Sequence, residues 1–213
     1  FKNNYLCLYK LMPERTLTII DNFYENPNAV RDYALSLEYS VKGNYPGYRT
    51  KHFLDTPESE NTKKIFEDIL NIDIYNWRND GDDSYNTSFQ LSFDCDKTWI
   101  HRDNNEYAGV LYLTPDAPCS GGTSFYRHIE TNNKMMNPNS VNPEDKKILE
   151  LLDRDGNDLT KWERTDYAAN YFNRLILFKG WNNHRSHFHF GRNNQPETGR
   201  LFQVFFFDGK PRN

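Results

Sequence analysis

Residues 98–113, TWIHRDNNEYAGVLYL, set His101, Arg102 and Asp103 directly ahead of an alternating apolar run. Such alternation predicts a β-strand. On a strand, residues i and i+2 point to one side, so His101 and Asp103 can aim an imidazole and a carboxylate at one point while Arg102 faces away. The same triplet also suits a solvated strand end carrying a charged pair, and alone it does not separate the two.

Outward from this stretch the chain has the texture of short strands. TSFQLSFD (87–94), AGVLYLT (108–114), GTSFYRH (122–128), NRLILFKG (173–180), SHFHFG (186–191) and RLFQVFFFDG (200–209) are each bounded by Gly, Pro, Asn or Asp, which predicts a sandwich or barrel. The segment 129–170 interrupts them and carries its own helix start at Asn142, Pro143 and Glu144; it is expected to be a surface excursion, where lids and binding loops are often built. Ahead of the β-rich part, RTLTII (15–20) alternates like a strand, and Asn26-Pro27 marks a helix from about Pro27 to Leu37. Thr56-Pro57 repeats that cap signature before Ile65, Phe66, Ile69 and Leu70 at helical spacing, because Asn and Thr accept from the first free N–H groups and proline suits the first helical position.

Composition bounds the class. With 213 residues, 15 % aromatics and only 11 Gly and 10 Pro, the chain suits one globular, β-rich domain with a sizeable core. The expected organisation is a single domain over 1–213, with N-terminal helical support in 1–84 and a core in 85–207 carrying the insertion at about 128–170. A net charge of −4 argues against a broad nucleic-acid surface, which needs excess Lys and Arg. No apolar run reaches the roughly 20 residues of a membrane span, so no membrane partner is expected. Cys7, Cys95 and Cys119 are odd in number and lack C-x-x-C spacing, which points away from a disulfide framework and toward a reducing cytoplasm. The sequence begins at Phe1 rather than Met, which leaves a removed leader open.

The far end of the chain changes the standing of His101 and Asp103. NRLILFKGWNNHRSHFHFG (173–191) supplies His184, His187 and His189 after an apolar strand. Two neutral imidazoles and one carboxylate on one face of a metal make the facial triad of non-haem Fe(II) oxygenases. Any of the three histidines could close that triad. In ETGRLFQVFFF (197–207), Arg200 enters a strongly apolar strand; it suits either a snorkelling edge residue or a guanidinium fork that captures a carboxylate bidentately.

The order HRD (101–103), GVLYLTPDAPCSGGTSFY (109–126), NRLILFKGWNNH (173–184) and GRLFQVFFF (199–207) resembles the 2-oxoglutarate- and Fe(II)-dependent oxygenases, particularly their prolyl 4-hydroxylase-like branch. YPGYR (45–49) is similar to an uncharacterised bacterial and phage subgroup of that family. The resemblance implies a mainly β fold with flanking helices, a double-stranded β-helix (jelly roll, cupin-like) bearing N-terminal helices and an inserted loop-helix segment. It implies His101, Asp103 and His184 as iron ligands, with His187 the chief rival to His184 and His189 behind it. Arg200 becomes the partner of the distal 2-oxoglutarate carboxylate; Tyr112 is a weaker co-substrate contact and Gln90 weaker still. The implied activity is hydroxylation of a C–H bond in a peptidyl or small-molecule substrate, using Fe(II), 2-oxoglutarate and dioxygen and releasing succinate. Two departures stand out: YLT (112–114) for the usual YLN, and a longer gap from His184 to Arg200.

Alternatives are a cupin-like protein binding Zn or another divalent ion, which has no need of a carboxylate clamp, and a non-catalytic jelly-roll binding module. His52 and His128 have no motif support and are expected to be structural or substrate-side. DRDGNDLTKWER (153–164) fails as a calcium loop, since Gly156 falls early and Arg164 stands where a bidentate Glu is needed. NTS (86–88) matches a glycosylation sequon, taken as chance.

Overall fold

The computed structural model describes residues 16–78 and 85–212, so Cys7 and Arg15 lie outside the described residues. In chain order the elements are β1 (Leu17–Ile20), α1 (Pro27–Ser36), β2 (Tyr48–Arg49), α2 (Pro57–Leu70), β3 (Ile72–Asn76), β4 (Phe89–Ser92), β5 (Tyr107–Tyr112), β6 (Thr123–His128), α3 (Pro143–Asp155), β7 (Trp162–Ala168), β8 (Leu175–Lys179), β9 (His184–Ser186) and β10 (Arg200–Pro211). They build two antiparallel sheets. The larger runs β1-β8-β5-β10-β4-β2, with β3 paired to the end of β10, and the smaller runs β7-β6-β9. This is the jelly roll with flanking helices.

The long apolar strands are explained by burial on both faces. Along β10, Leu201, Phe205 and Phe207 join Phe66 of α2 and Ala34 of α1 in the outer core, while Phe202 and Val204 join Tyr112, Ile176, Phe178, Phe125 and Ala168 between the sheets. Leu175 and Leu177 of β8 face outward in the same way, with Ile176 and Phe178 inward. Period-2 alternation therefore survives, but as a choice between two apolar layers rather than between core and water.

All three helices begin as their caps predict. The side chains of Asn26, Thr56 and Asn142 accept from Ala29 N, Ser59 N and Glu144 N at 3.2, 3.2 and 2.9 Å, each with proline in the first turn. Buried Arg31 of α1 ties its helix to the sheet by donating to Leu113 O and Glu197 O, both at 2.7 Å. α3 lies elsewhere, its Leu152 packing with Ile100, Tyr126 and Trp162 against the smaller sheet.

The strand expected at 186–191 is displaced. β9 occupies His184–Ser186, opposite Phe125–Thr123 of β6, after which His187 N donates to Gly122 O at 2.8 Å and the chain departs. The apolar Phe190 there is claimed by Gly121, where a Cβ would stand 2.5 Å from its ring. Within the 129–170 excursion, Trp162–Ala168 is a strand paired to β6, held by the buried ends Trp162 and Ala168. Strand β3 was not foreseen; its Ile72 and Ile74 alternate inward beneath α2. Among the described residues, no helix is long and apolar enough to cross a membrane.

Candidate metal centre

His101 and His184 are joined by their backbones. Each N–H donates to the other's carbonyl at 2.9 Å, an isolated antiparallel bridge that ties the loop before β5 to the first residue of β9. Two residues on, Asp103 N donates to Gly180 O at 2.8 Å. Position 180 accepts only glycine, because a Cβ would meet Asn105 O at 2.5 Å and Asp103 Cβ at 3.1 Å. His101 and Asp103 thus converge with Arg102 facing away between them, held by backbone bonds to His184 and Gly180 ahead of β5 rather than by a place within that strand.

One potential ligand atom from each of His101, Asp103 and His184 lies within 4.8 Å of the other two. The Nε2 atoms of His101 and His184 stand 3.9 and 3.4 Å from the Asp103 carboxylate oxygens. Both Nδ1 atoms face carbonyl oxygens, those of Trp99 at 3.1 Å and Asn182 at 2.8 Å. A carbonyl can only accept, so both Nδ1 atoms carry a proton, and in the neutral ring Nε2 is left with the lone pair that faces the centre. Burial pushes the His184 imidazole down to about 4 against the opposing pull of Asp103, which keeps it neutral, as a ligand must be. Phe125 and Phe178 pack around its ring, at 6.2 and 4.8 Å between centroids. Arg102 faces away, donating to Asn183 Oδ1 at 2.8 Å and pairing with Asp153.

Arg200 lies in the same cavity as the three residues, along with Thr123 and Phe202. It is 1 % exposed, its Nε donates to Gly121 O at 2.8 Å, and its Nη1 is buried without a hydrogen-bond partner. No acidic residue pairs with it among the described residues. A buried cation with a free donor is costly unless an anion completes it, so the site fits a carboxylate ligand. Tyr112 is fully buried, bonded through its hydroxyl to Thr123 Oγ1 at 2.8 Å, and its ring lies 5.4 Å from the Arg200 guanidinium.

The remaining histidines fall outside the cluster. His187 Nδ1 meets Ser124 Oγ at 3.0 Å. His189 Nδ1 donates to Asp96 O at 3.1 Å, its Nε2 is buried and unpartnered, and burial together with Arg200 pushes it down to about 3. Gln90 serves Arg49, accepting from its Nε at 2.7 Å. Tyr45, Pro46 and Arg49 of YPGYR line the cavity, which adjoins a wider polar cleft of about 760 Å³ that includes Asn139 of the 129–170 segment. Thr123, the hydroxyl partner of Tyr112, escapes sequence reasoning, and Arg49 enters it only as the last residue of YPGYR.

A protein family described as "Family of unknown function (DUF6445)" matches residues 7–207. No curated protein matches the chain by sequence. Among solved structures, HygX from Streptomyces hygroscopicus with nickel and 2-oxoglutarate bound is similar at a TM-score of 0.53 and 10 % identity, covering 97 % of this chain and 87 % of that one. The non-heme alpha ketoglutarate dependent carbocyclase SnoK from nogalamycin biosynthesis is similar at 0.52 and 12 % identity, covering 100 % of this chain and 87 % of that one. At these identities the likeness shows the jelly-roll fold.

Proposed function

The chain belongs to DUF6445, a family of unknown function, and we propose that it is an Fe(II)- and 2-oxoglutarate-dependent dioxygenase that hydroxylates a C–H bond of a small-molecule or peptidyl substrate. The observation that carries this reading is one cavity holding both a His101–Asp103–His184 donor cluster and Arg200 with an orphaned Nη1. Two imidazoles and a carboxylate suit a divalent iron and leave other positions free. A zinc cupin gives the buried guanidinium nothing to do, and a metal-free binding module gives the His101–Asp103–His184 donor cluster nothing to do.

His101, Asp103 and His184 would hold the iron, which when bound supplies dioxygen activation and the oxidative decarboxylation of 2-oxoglutarate to succinate. Trp99 O and Asn182 O keep the two Nε2 lone pairs aimed at the metal, the outer-shell bonding that fixes a ligand's tautomer and orientation. Arg200 binds the distal carboxylate of the co-substrate, with Gly121 O holding its Nε so that the Nη edge is presented. Tyr112 and Phe202 flank that guanidinium, and Phe125 and Phe178 exclude water from the His184 side. HygX has also been solved with nickel, 2-oxoglutarate and hygromycin B bound, which supports the same pairing of metal and co-substrate here. A test is succinate release: iron-loaded, folded protein given 2-oxoglutarate in air should accumulate succinate slowly without substrate. Protein that binds iron yet forms no succinate beyond an Asp103→Ala control would overturn the assignment.

A further inference from the structure

A second buried arginine faces the same cavity from another wall. Arg49 of β2 is 6 % exposed and lies opposite Gln90 of β4. Its Nε donates to Gln90 Oε1 at 2.7 Å, and Gln90 is itself fixed by donating from Nε2 to Pro46 O at 2.6 Å. The guanidinium carbon stands over three rings, 3.8 Å from the centroid of Tyr45, 4.9 Å from Tyr85 and 5.3 Å from Phe206. Of the five N–H donors of an arginine, Gln90 takes one. No carboxylate forms an ion pair with Arg49 among the described residues. The residue lines both the cavity of the triad and the adjoining polar cleft, so its unused edge opens where a ligand would enter. Burial pushes the guanidinium down to about 10, with Tyr45 and Asp103 acting in the opposite direction, and it is cationic at neutral pH.

Arg49 and Arg200 stand over different rings of the same strand, β10. Arg200 lies 4.2 Å over the ring of Phe202, and Arg49 5.3 Å over that of Phe206. Phe202 and Phe206 are four positions apart on β10, roughly 13 Å at strand rise. With Arg200 engaged by the co-substrate, Arg49 is left for a different molecule.

We propose that Arg49 is a specificity-determining residue for the primary substrate, and that this substrate is an organic carboxylate, its carboxylate gripped by the free Nη edge within the Tyr45, Tyr85 and Phe206 cage. The fork geometry of a guanidinium suits a planar carboxylate bidentately, and the rings favour an apolar portion beside it. The inference rests on the reading of Arg200 as the co-substrate clamp.

The test uses full-length protein carrying isotope-labelled arginine side chains, with the Arg49 and Arg200 guanidinium NMR signals assigned by Arg49→Lys, Arg49→Gln and Arg200→Gln. The probes are benzoate, its neutral counterpart benzamide, and 2-oxoglutarate with Zn(II). Benzoate should shift the Arg49 signal saturably, at least tenfold more tightly than benzamide, and should still do so with 2-oxoglutarate bound. Equal response to benzoate and benzamide, or none to either, overturns the proposal, and both comparisons are made on native protein and survive a variant that fails to fold. Saturation of Arg49 rather than Arg200 by 2-oxoglutarate also overturns it, making Arg49 the co-substrate clamp. If 2-oxoglutarate moves neither signal while benzoate moves Arg49, the co-substrate reading falls and the carboxylate site at Arg49 stands.

Discussion

Two histidine–aspartate groupings adjoin the smaller sheet, and their hydrogen bonds run opposite ways. His128, fully buried, accepts at Nδ1 from Thr131 N at 3.4 Å, has Thr131 Oγ1 at 3.0 Å, and donates from Nε2 to Asp155 Oδ2 at 3.1 Å. Arg154 also pairs with Asp155, and Trp162 packs edge-on at 4.8 Å. Every polar atom of that ring is spoken for. At His101 and His184 the Nδ1 atoms are satisfied by carbonyls, while both Nε2 atoms face the Asp103 carboxylate at 3.9 and 3.4 Å without forming a hydrogen bond to it. The lesson is physical: a His–Asp contact marks a binding site when donor atoms are left over, and a structural brace when none are.

The largest effect belongs to Asp103→Ala, which should abolish Fe(II) retention in anaerobic equilibrium dialysis while circular dichroism stays native. His184→Ala should do nearly the same, whereas His187→Ala should keep its iron; loss of iron only in the second would move the distal ligand to His187. Arg200→Gln should leave iron content intact and raise the 2-oxoglutarate KM on the order of a hundredfold, since truncating a buried charge pair costs about 2–5 kcal/mol. His128→Ala should bind iron normally and lose about 2 kcal/mol of stability in urea unfolding, the scale of a broken buried hydrogen bond. Smallest is Tyr112→Phe, which removes a hydroxyl held by Thr123 beside Arg200 and should raise the 2-oxoglutarate KM by a few fold.

Much of the architecture was legible because β5, β8 and β10 are buried on both faces and so read as strongly apolar runs. The helix starts were legible because Asn26, Thr56 and Asn142 each precede proline. β9 was misplaced because HFHF alternates without pairing: His189 turns to Asp96 O and Phe190 packs under Gly121. Spacing could not rank His184, His187 and His189, since the choice is made by a backbone bridge to His101, 83 positions away by subtraction of the residue numbers. Arg49 was hidden for a similar reason. Its strand has two residues, and its cage assembles Tyr45, Tyr85 and Phe206 from three distant parts of the chain.

Anaerobic visible absorption reads directly whether His101, Asp103, His184 and Arg200 together seat iron and 2-oxoglutarate. Adding 2-oxoglutarate to the Fe(II)-loaded protein should raise a weak charge-transfer band that saturates at one equivalent and is absent in Asp103→Ala. Iron-loaded native protein that shows no band at saturating 2-oxoglutarate, or a band that persists in Asp103→Ala, would contradict the account.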